Sequence, residues 1–141
     1  MLKRFSILAV IGAMLASLAF AVPSKVPPMP KVLANGTYVY VRAYDGDQFS
    51  PNLIPADRQA ISSVQSALQK WGHYIVVYRP QEANVILVVQ SRPTEDVLAA
   101  YDAHMPGTYL WRMTGENGLQ QGETPLVMAF EKAVNQANAK K

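Results

Sequence analysis

Few side chains in this sequence have the chemistry to act on a substrate or hold a metal, and their spacing does not draw them together. Two histidines are present, His73 and His104, and cysteine is absent. Asp102 and His104, joined by Asp45 or Asp47, would make a three-ligand set for a metal ion. Nothing in their spacing requires them to meet, so they read as solvated loop residues. Asp45-Gly46-Asp47 begins like a calcium-binding loop, but Phe49 and Ala56 stand where further oxygen ligands are needed. Ser62, Ser63 and Ser66 fall on the polar side of a helical pattern, and no Gly-x-Ser-x-Gly turn exposes any of them as a nucleophile. No carboxylate pair is marked by its surroundings for glycoside hydrolysis, and no glycine motif cradles a phosphate. The sequence is therefore read as non-enzymatic, with no catalytic residue, no metal and no cofactor.

The chemistry that remains is aromatic. The chain carries seven tyrosines and two tryptophans. Tyr38, Tyr40 and Tyr44 share one face of a strand, Tyr74 and Tyr78 share a face of another, and Tyr109 alternates with Trp111 on a third. Aromatic rings with polar tips suit a half-wet surface that meets a partner, although plain β-propensity also places them on pleated surfaces. The expected contact set is Tyr38, Tyr40, Tyr44, Tyr78, Tyr109 and Trp111, on a sheet face left uncovered by helices.

The elements that would position these rings follow from periodicity. Residues 37–44 alternate as a first strand. Pro55 suits the first turn of a helix, Asp57 suits its positive end, and Gly72 suits its left-handed stop. Between them Ile61, Val64, Leu68 and Trp71 form one apolar stripe, which makes Trp71 an expected core residue. Residues 74–78 and 85–90 read as strands, the latter apolar on both faces and so central. Residues 97–102 and 108–114 flank His104-Met105-Pro106-Gly107 as a hairpin, and the first of the two could instead be a short helix. Thr124-Pro125 opens a last helix with Leu126, Val127, Phe130, Ala133, Val134 and Ala137 on one side. The expected fold is α+β, a two-layer sandwich in the order β-α-β-β-β-β-α. Its sheet has about five strands, mainly antiparallel, with two helices on one face.

The start of the chain points outward from the cytoplasm. Lys3 and Arg4, an apolar run over residues 5–18, and Ala19-Phe20-Ala21 make an export signal expected to be cut between Ala21 and Val22. Retention as a membrane anchor is the other reading of that run. The expected organisation is a signal peptide at 1–21, a proline-rich linker at 22–34 and a single domain at 35–141. A periplasmic or secreted location follows, with no stable membrane span after cleavage. The formal charge is +3, but Lys3 and Arg4 belong to the signal. The near balance left behind lacks the basic face a nucleic-acid binder needs. Without cysteine, no disulfide can brace the fold.

Several strings carry a resemblance: Ala56-Asp57-Arg58-Gln59-Ala60-Ile61 with the helix running to Trp71-Gly72, Glu82-Ala83-Asn84-Val85, Tyr101-Asp102, Leu110-Trp111-Arg112, Gly118-Leu119 and Thr124-Pro125-Leu126-Val127. They resemble a family of small exported bacterial proteins, and more distantly the envelope domains of unknown function found in bacterial lipoproteins. Asn84 stands where that pattern usually has aspartate, and the lipid-accepting cysteine is missing. The resemblance implies location and fold, and it brings no activity. Together these readings lead to an exported domain that binds another envelope component through an aromatic sheet face, either an envelope protein or a second copy. The rival readings are a hydrolase acting on envelope material through Asp45, Asp47, Asp102 and His104, and a purely structural homo-oligomer.

Overall fold

The computed structural model describes residues 26–120 and 124–139. The expected signal peptide, its Ala21/Val22 cleavage site and the loop at Gly122 lie outside them. The elements are α1 (Lys31–Ala34), β1 (Tyr38–Ala43), α2 (Pro55–Trp71), β2 (Ile75–Val77), β3 (Val85–Ser91), β4 (Asp96–Asp102), β5 (Trp111–Gly115) and α3 (Pro125–Ala139), with a 3-10 turn at Pro80–Glu82. The protein is an α+β two-layer sandwich with a five-stranded sheet in the order β2-β1-β3-β4-β5. β1 runs parallel to both its neighbours, over three and five register pairs. The β3–β4 and β4–β5 ladders are antiparallel over seven and five, so antiparallel pairing predominates.

Helix α2 begins and ends where its punctuation says it should. Pro55 occupies the first turn, where its missing amide hydrogen has no partner to lose. Gly72 adopts φ 82°, and its amide donates to the Leu68 carbonyl at 3.0 Å. A Cβ there would meet no neighbouring atom, so it is the left-handed backbone alone that favours glycine. Ile61, Val64 and Leu68 are buried under the helix as their spacing requires. Trp71 is only half-buried at the margin of the core, stacked on His73 at 4.9 Å and edge-on to Phe130 at 6.3 Å. It therefore supports the core from the side, where the stripe had placed it inside.

The covered face of the sheet runs in rows across the strands: Val39 with Val85, then Val41, Leu87, Ala100 and Trp111, then Ala43, Val89, Leu98 and Met113. Helix α2 packs over β1, β2 and β3, and α3 packs over β4 and β5. Strand β3 is third of five, which accounts for its apolar run on both faces. Residues 96–102 form a strand, so the alternative of a short helix there falls away. The β5 strand starts only at Trp111, leaving residues 103–110 as a long loop in place of a tight hairpin.

The proline-rich stretch is not a free spacer from residue 26 onward. Met29, Leu33 and Ala34 are buried in the core, and Val26 packs against it. Pro27 offers its carbonyl to the Trp111 indole at 2.9 Å, and the buried Tyr74 phenol donates to the Leu33 carbonyl at 2.7 Å. Prolines fix an extended path as far as Pro30, along which Met29 reaches the core, and helix α1 then carries Leu33 and Ala34 into it. Among the described residues, no helix is long and apolar enough to cross a membrane.

Candidate functional site

A second set of buried residues, Tyr40, Val88, Val97 and Ala99, lies outside the main core cluster, on the opposite face of the sheet. Register assembles that outer face in rows: Val77, Tyr40, Ile86 and Tyr101, then Arg42, Val88, Ala99 and Arg112, then Gln90, Val97 and Thr114. The path from β2 back to β3 must pass β1. Helix α2 occupies the inner side of β1, so the 3-10 turn at Pro80–Glu82, which contacts β1, crosses on the outer side. A right-handed connection that reverses direction across a sheet is required to change faces in this way. The β2 end of the outer face is thereby occupied; on the remainder, from the end of β1 across β3, β4 and β5, Val88, Val97 and Ala99 are buried while Tyr44, Tyr109 and Arg112 are exposed.

Two tyrosines span that remainder. Tyr44 stands just past β1, and Tyr101 lies on β4. Strand spacing and rise put their Cα atoms about 16 Å apart, yet the Tyr44 phenol is near enough to the Tyr101 phenol to raise its pKa. The two side chains therefore reach toward each other along the sheet and bridge Val88 and Ala99, which are buried. Burial, and then the Tyr44 phenol, push the Tyr101 phenol above its ordinary pKa, while Arg112 pulls the other way. Tyr109 packs edge-on to Tyr101, with ring centroids 6.4 Å apart and planes at 83°. Tyr44 stays 42% exposed, and Tyr109 is exposed beside it.

Two arginines flank this bridge. Arg42 is held by its own strand end, Nε donating to the Ala43 carbonyl at 2.9 Å and Nη2 to the Tyr44 carbonyl at 3.3 Å. Arg112 is exposed, and the ion pairs among the described residues join Arg79 to Glu82, Arg92 to Asp45 and Asp57, and His104 to Asp102, leaving it out.

Tyr40 serves this surface from below. It is buried, and its hydroxyl donates to Asp47 Oδ2 at 2.9 Å. Asp47 Oδ1 in turn accepts the Phe49 amide at 3.0 Å, which closes the turn after Tyr44. Gly46 sits in that turn at φ 154°, where a Cβ would meet Ser50 Oγ at 2.4 Å. Burial would raise the Asp47 carboxyl pKa, but hydrogen bonds from Tyr40, Phe49 and Ser50, with nearby Arg42, outweigh it and hold the group below its usual value. Burial and Asp47 push the Tyr40 phenol up to about 12.

A pH dependence follows from the raised Tyr40 value. A neutral phenol held in the folded state contributes stability that is fully present below about pH 10 and is lost as pH climbs through about 12. Tyr74, raised by burial, acts in the same direction. Tyr40→Phe is expected to lower stability at pH 9, by loss of the Asp47 bond, and to flatten the fall in urea midpoint between pH 10 and 12. An unchanged slope over that interval would mean that the Tyr40 ring is open to water.

The six expected contact residues divide. Tyr38, Tyr44 and Tyr109 are exposed, and Tyr38 and Tyr40 have outward register on β1, with Tyr40 submerged. Tyr78 turns to the helix side, where its hydroxyl accepts from Gln69 of α2 at 3.4 Å. Trp111 is a correction: it is 2% exposed and packs edge-on against Phe130 at 5.4 Å, so it belongs to the core and cannot line a contact surface. Tyr101, Arg42 and Arg112 were missed as site residues. The alternation that marked the tyrosines already carried Arg42, but Arg112 and Tyr101 become visible only once β4 and β5 are in register.

The acid and histidine set splits, with His104 beside Asp102 at 3.4 Å and Asp45 and Asp47 toward the other end of the sheet. Asp102 pairs with Val85 at the start of β3, whereas Ala43, just before Asp45 and Asp47, pairs with Val89 near its end. Asp102 binds its own loop, accepting the His104 amide at 3.0 Å. Among the described residues no group of three His, Cys, Asp or Glu side chains is placed to hold a metal ion. A groove of about 820 Å³ runs along α2 past Arg58, Ser62, Ser66, Lys70 and Thr124, and it gathers none of these acids. No protein-family model, curated protein or solved structure matches the chain significantly.

Proposed function

We propose that this chain is an exported, non-enzymatic domain that binds another component of the cell envelope through the outer face of its sheet. The contact set is Tyr44, Tyr101 and Tyr109 with Arg42 and Arg112, and Tyr38 stands at its edge. One observation carries this reading: two tyrosines reach toward each other across the sheet, with the Tyr44 ring left accessible, beside Arg112, which joins none of the ion pairs among the described residues. Rings left at a surface contribute little to folding, while aromatic and arginine side chains dominate binding energy at interfaces. Location outside the cytoplasm rests on the amino-terminal signal pattern and on the resemblance of the sequence to small exported proteins.

The test is the double variant Tyr44→Ser, Arg112→Gln. It is expected to shift the urea unfolding free energy by less than about 1 kcal/mol, as surface changes do. Its cosedimentation with isolated envelope fragments should fall at least tenfold. Equal cosedimentation by the two proteins would refute the reading, and sedimentation velocity of the parent chain reports directly whether the face is instead closed by a second copy.

A further inference from the structure

We infer that the outer face takes a carboxylate-bearing oligosaccharide, a chain of uronic acids laid across the strands along Tyr44 and Tyr101. This rests on the binding role proposed above for that face, and it names the chemistry of the ligand.

The extent of the surface limits its occupant. The outer rows from β1 to β5 span three strand gaps or about 14 Å, and about as far along the strands, with Val88, Val97 and Ala99 buried in their middle. That is roughly 200 Å², far short of the ~800 Å² that each partner buries in a stable protein complex. A folded partner or a second copy would have to rest mostly on other surfaces. A narrow chain fits the available width.

The character of the surface selects among chains. A peptide gains affinity from a sheet by pairing with the amides of an edge strand, whereas on this face the backbone groups are already joined in the ladders between β1, β3, β4 and β5. Only side chains are on offer. An aromatic ring has a negative face that attracts weakly positive C–H groups, and the flat sides of pyranose rings present such groups. The Tyr44 and Tyr101 hydroxyls, near each other over Val88 and Ala99, have capacity to bond sugar hydroxyls.

Charge supplies the remaining term. Arg42 and Arg112 stand at the two ends of one register row, about 14 Å apart. Guanidinium forks match carboxylates in bidentate geometry, so an acidic sugar chain can stack between them, paired by Arg112 at one end and at the other by the Arg42 donors not already given to the Ala43 and Tyr44 carbonyls. A nucleic acid carries a phosphate at every nucleotide and calls for a denser set of cations than these two.

The experiment is calorimetric titration of the purified chain at low salt with three six-unit probes: hexagalacturonate, hexaglutamate and oligo-dT. Hexagalacturonate is expected to bind at least tenfold more tightly than either of the others. Arg112→Gln and Tyr44→Ala should each weaken it at least tenfold while leaving the circular dichroism spectrum unchanged. No saturable hexagalacturonate binding, or binding indifferent to both substitutions, overturns the inference. Hexaglutamate or oligo-dT binding as tightly, and lost on Arg112→Gln, overturns the sugar assignment while keeping the face as a binding surface. Failure of all three probes, with equal envelope cosedimentation of parent and double variant, overturns both.

Discussion

Trp111→Ala is expected to remove about 3–5 kcal/mol of folding stability. The ring is 2% exposed in the row of Val41, Leu87 and Ala100, and it meets Phe130 of α3 edge-on at 5.4 Å. Its indole N–H also holds the Pro27 carbonyl at 2.9 Å, so one side chain ties β5, α3 and the amino-terminal strap together. A domain of this size has a total stability of order 5–15 kcal/mol, and the variant should be largely unfolded in moderate urea. Equilibrium melts followed by circular dichroism measure it. A loss below about 1 kcal/mol would mean that the indole lies at the surface. Trp111→Phe isolates the hydrogen bond: it keeps a ring against Phe130, should cost about 1–2 kcal/mol beyond any packing change, and should speed proteolysis near Pro27 and Met29.

Trp111 also shows where sequence reasoning stops. Its alternation with neighbouring residues in β5 is real, but alternation reports only that two side chains share a face, never which face. That parity is set by the register between β4 and β5, and a shift of one residue inverts every side chain in the strand. Here residues 103–110 form a loop too long for its Pro106-Gly107 turn signal to fix the register of the two strands. Helix α2 was legible from end to end because its signals are local: a proline at the start, a glycine at the stop, and a stripe between them. The central place of β3 was legible because both its faces are apolar. Residues 26–34 were misread because the prolines mask two things: the burial of Met29 on the extended path, and the short helix α1 that turns Leu33 and Ala34 into the core. The Tyr44–Tyr101 bridge joins residues far apart in sequence, so it appears only after β1, β3 and β4 are aligned.

Asp57→Ala should cost about 2–4 kcal/mol, more than its place on a helix would suggest. A first-turn aspartate at a helix surface contributes only about 0.3–1 kcal/mol through the helix dipole. Asp57, however, is 1% exposed, and its Oδ1 accepts both the Ser91 amide at 2.8 Å and Arg92 Nη1 at 2.9 Å. The same Nη1 donates to the Ser91 carbonyl at 2.7 Å, so the start of α2 is clamped to the end of β3. Removing one partner of a buried pair leaves the other's charge and hydrogen bonds unmet, a loss of about 3–5 kcal/mol when both are fully buried. The Arg92 side chain is 33% exposed and lies 3.8 Å from Asp45, so it can turn partly to water and to that carboxylate, which brings the figure down. The pair should reveal itself in a double-mutant cycle. Asp57→Ala, Arg92→Ala together should cost about 1–3 kcal/mol less than the sum of the single changes, and a coupling below about 0.5 kcal/mol would show that the two side chains act independently. Asp45 begins the turn that follows Tyr44, so the Asp57 variant should also loosen the mount of that ring and weaken ligand binding at the outer face, although it touches no residue there.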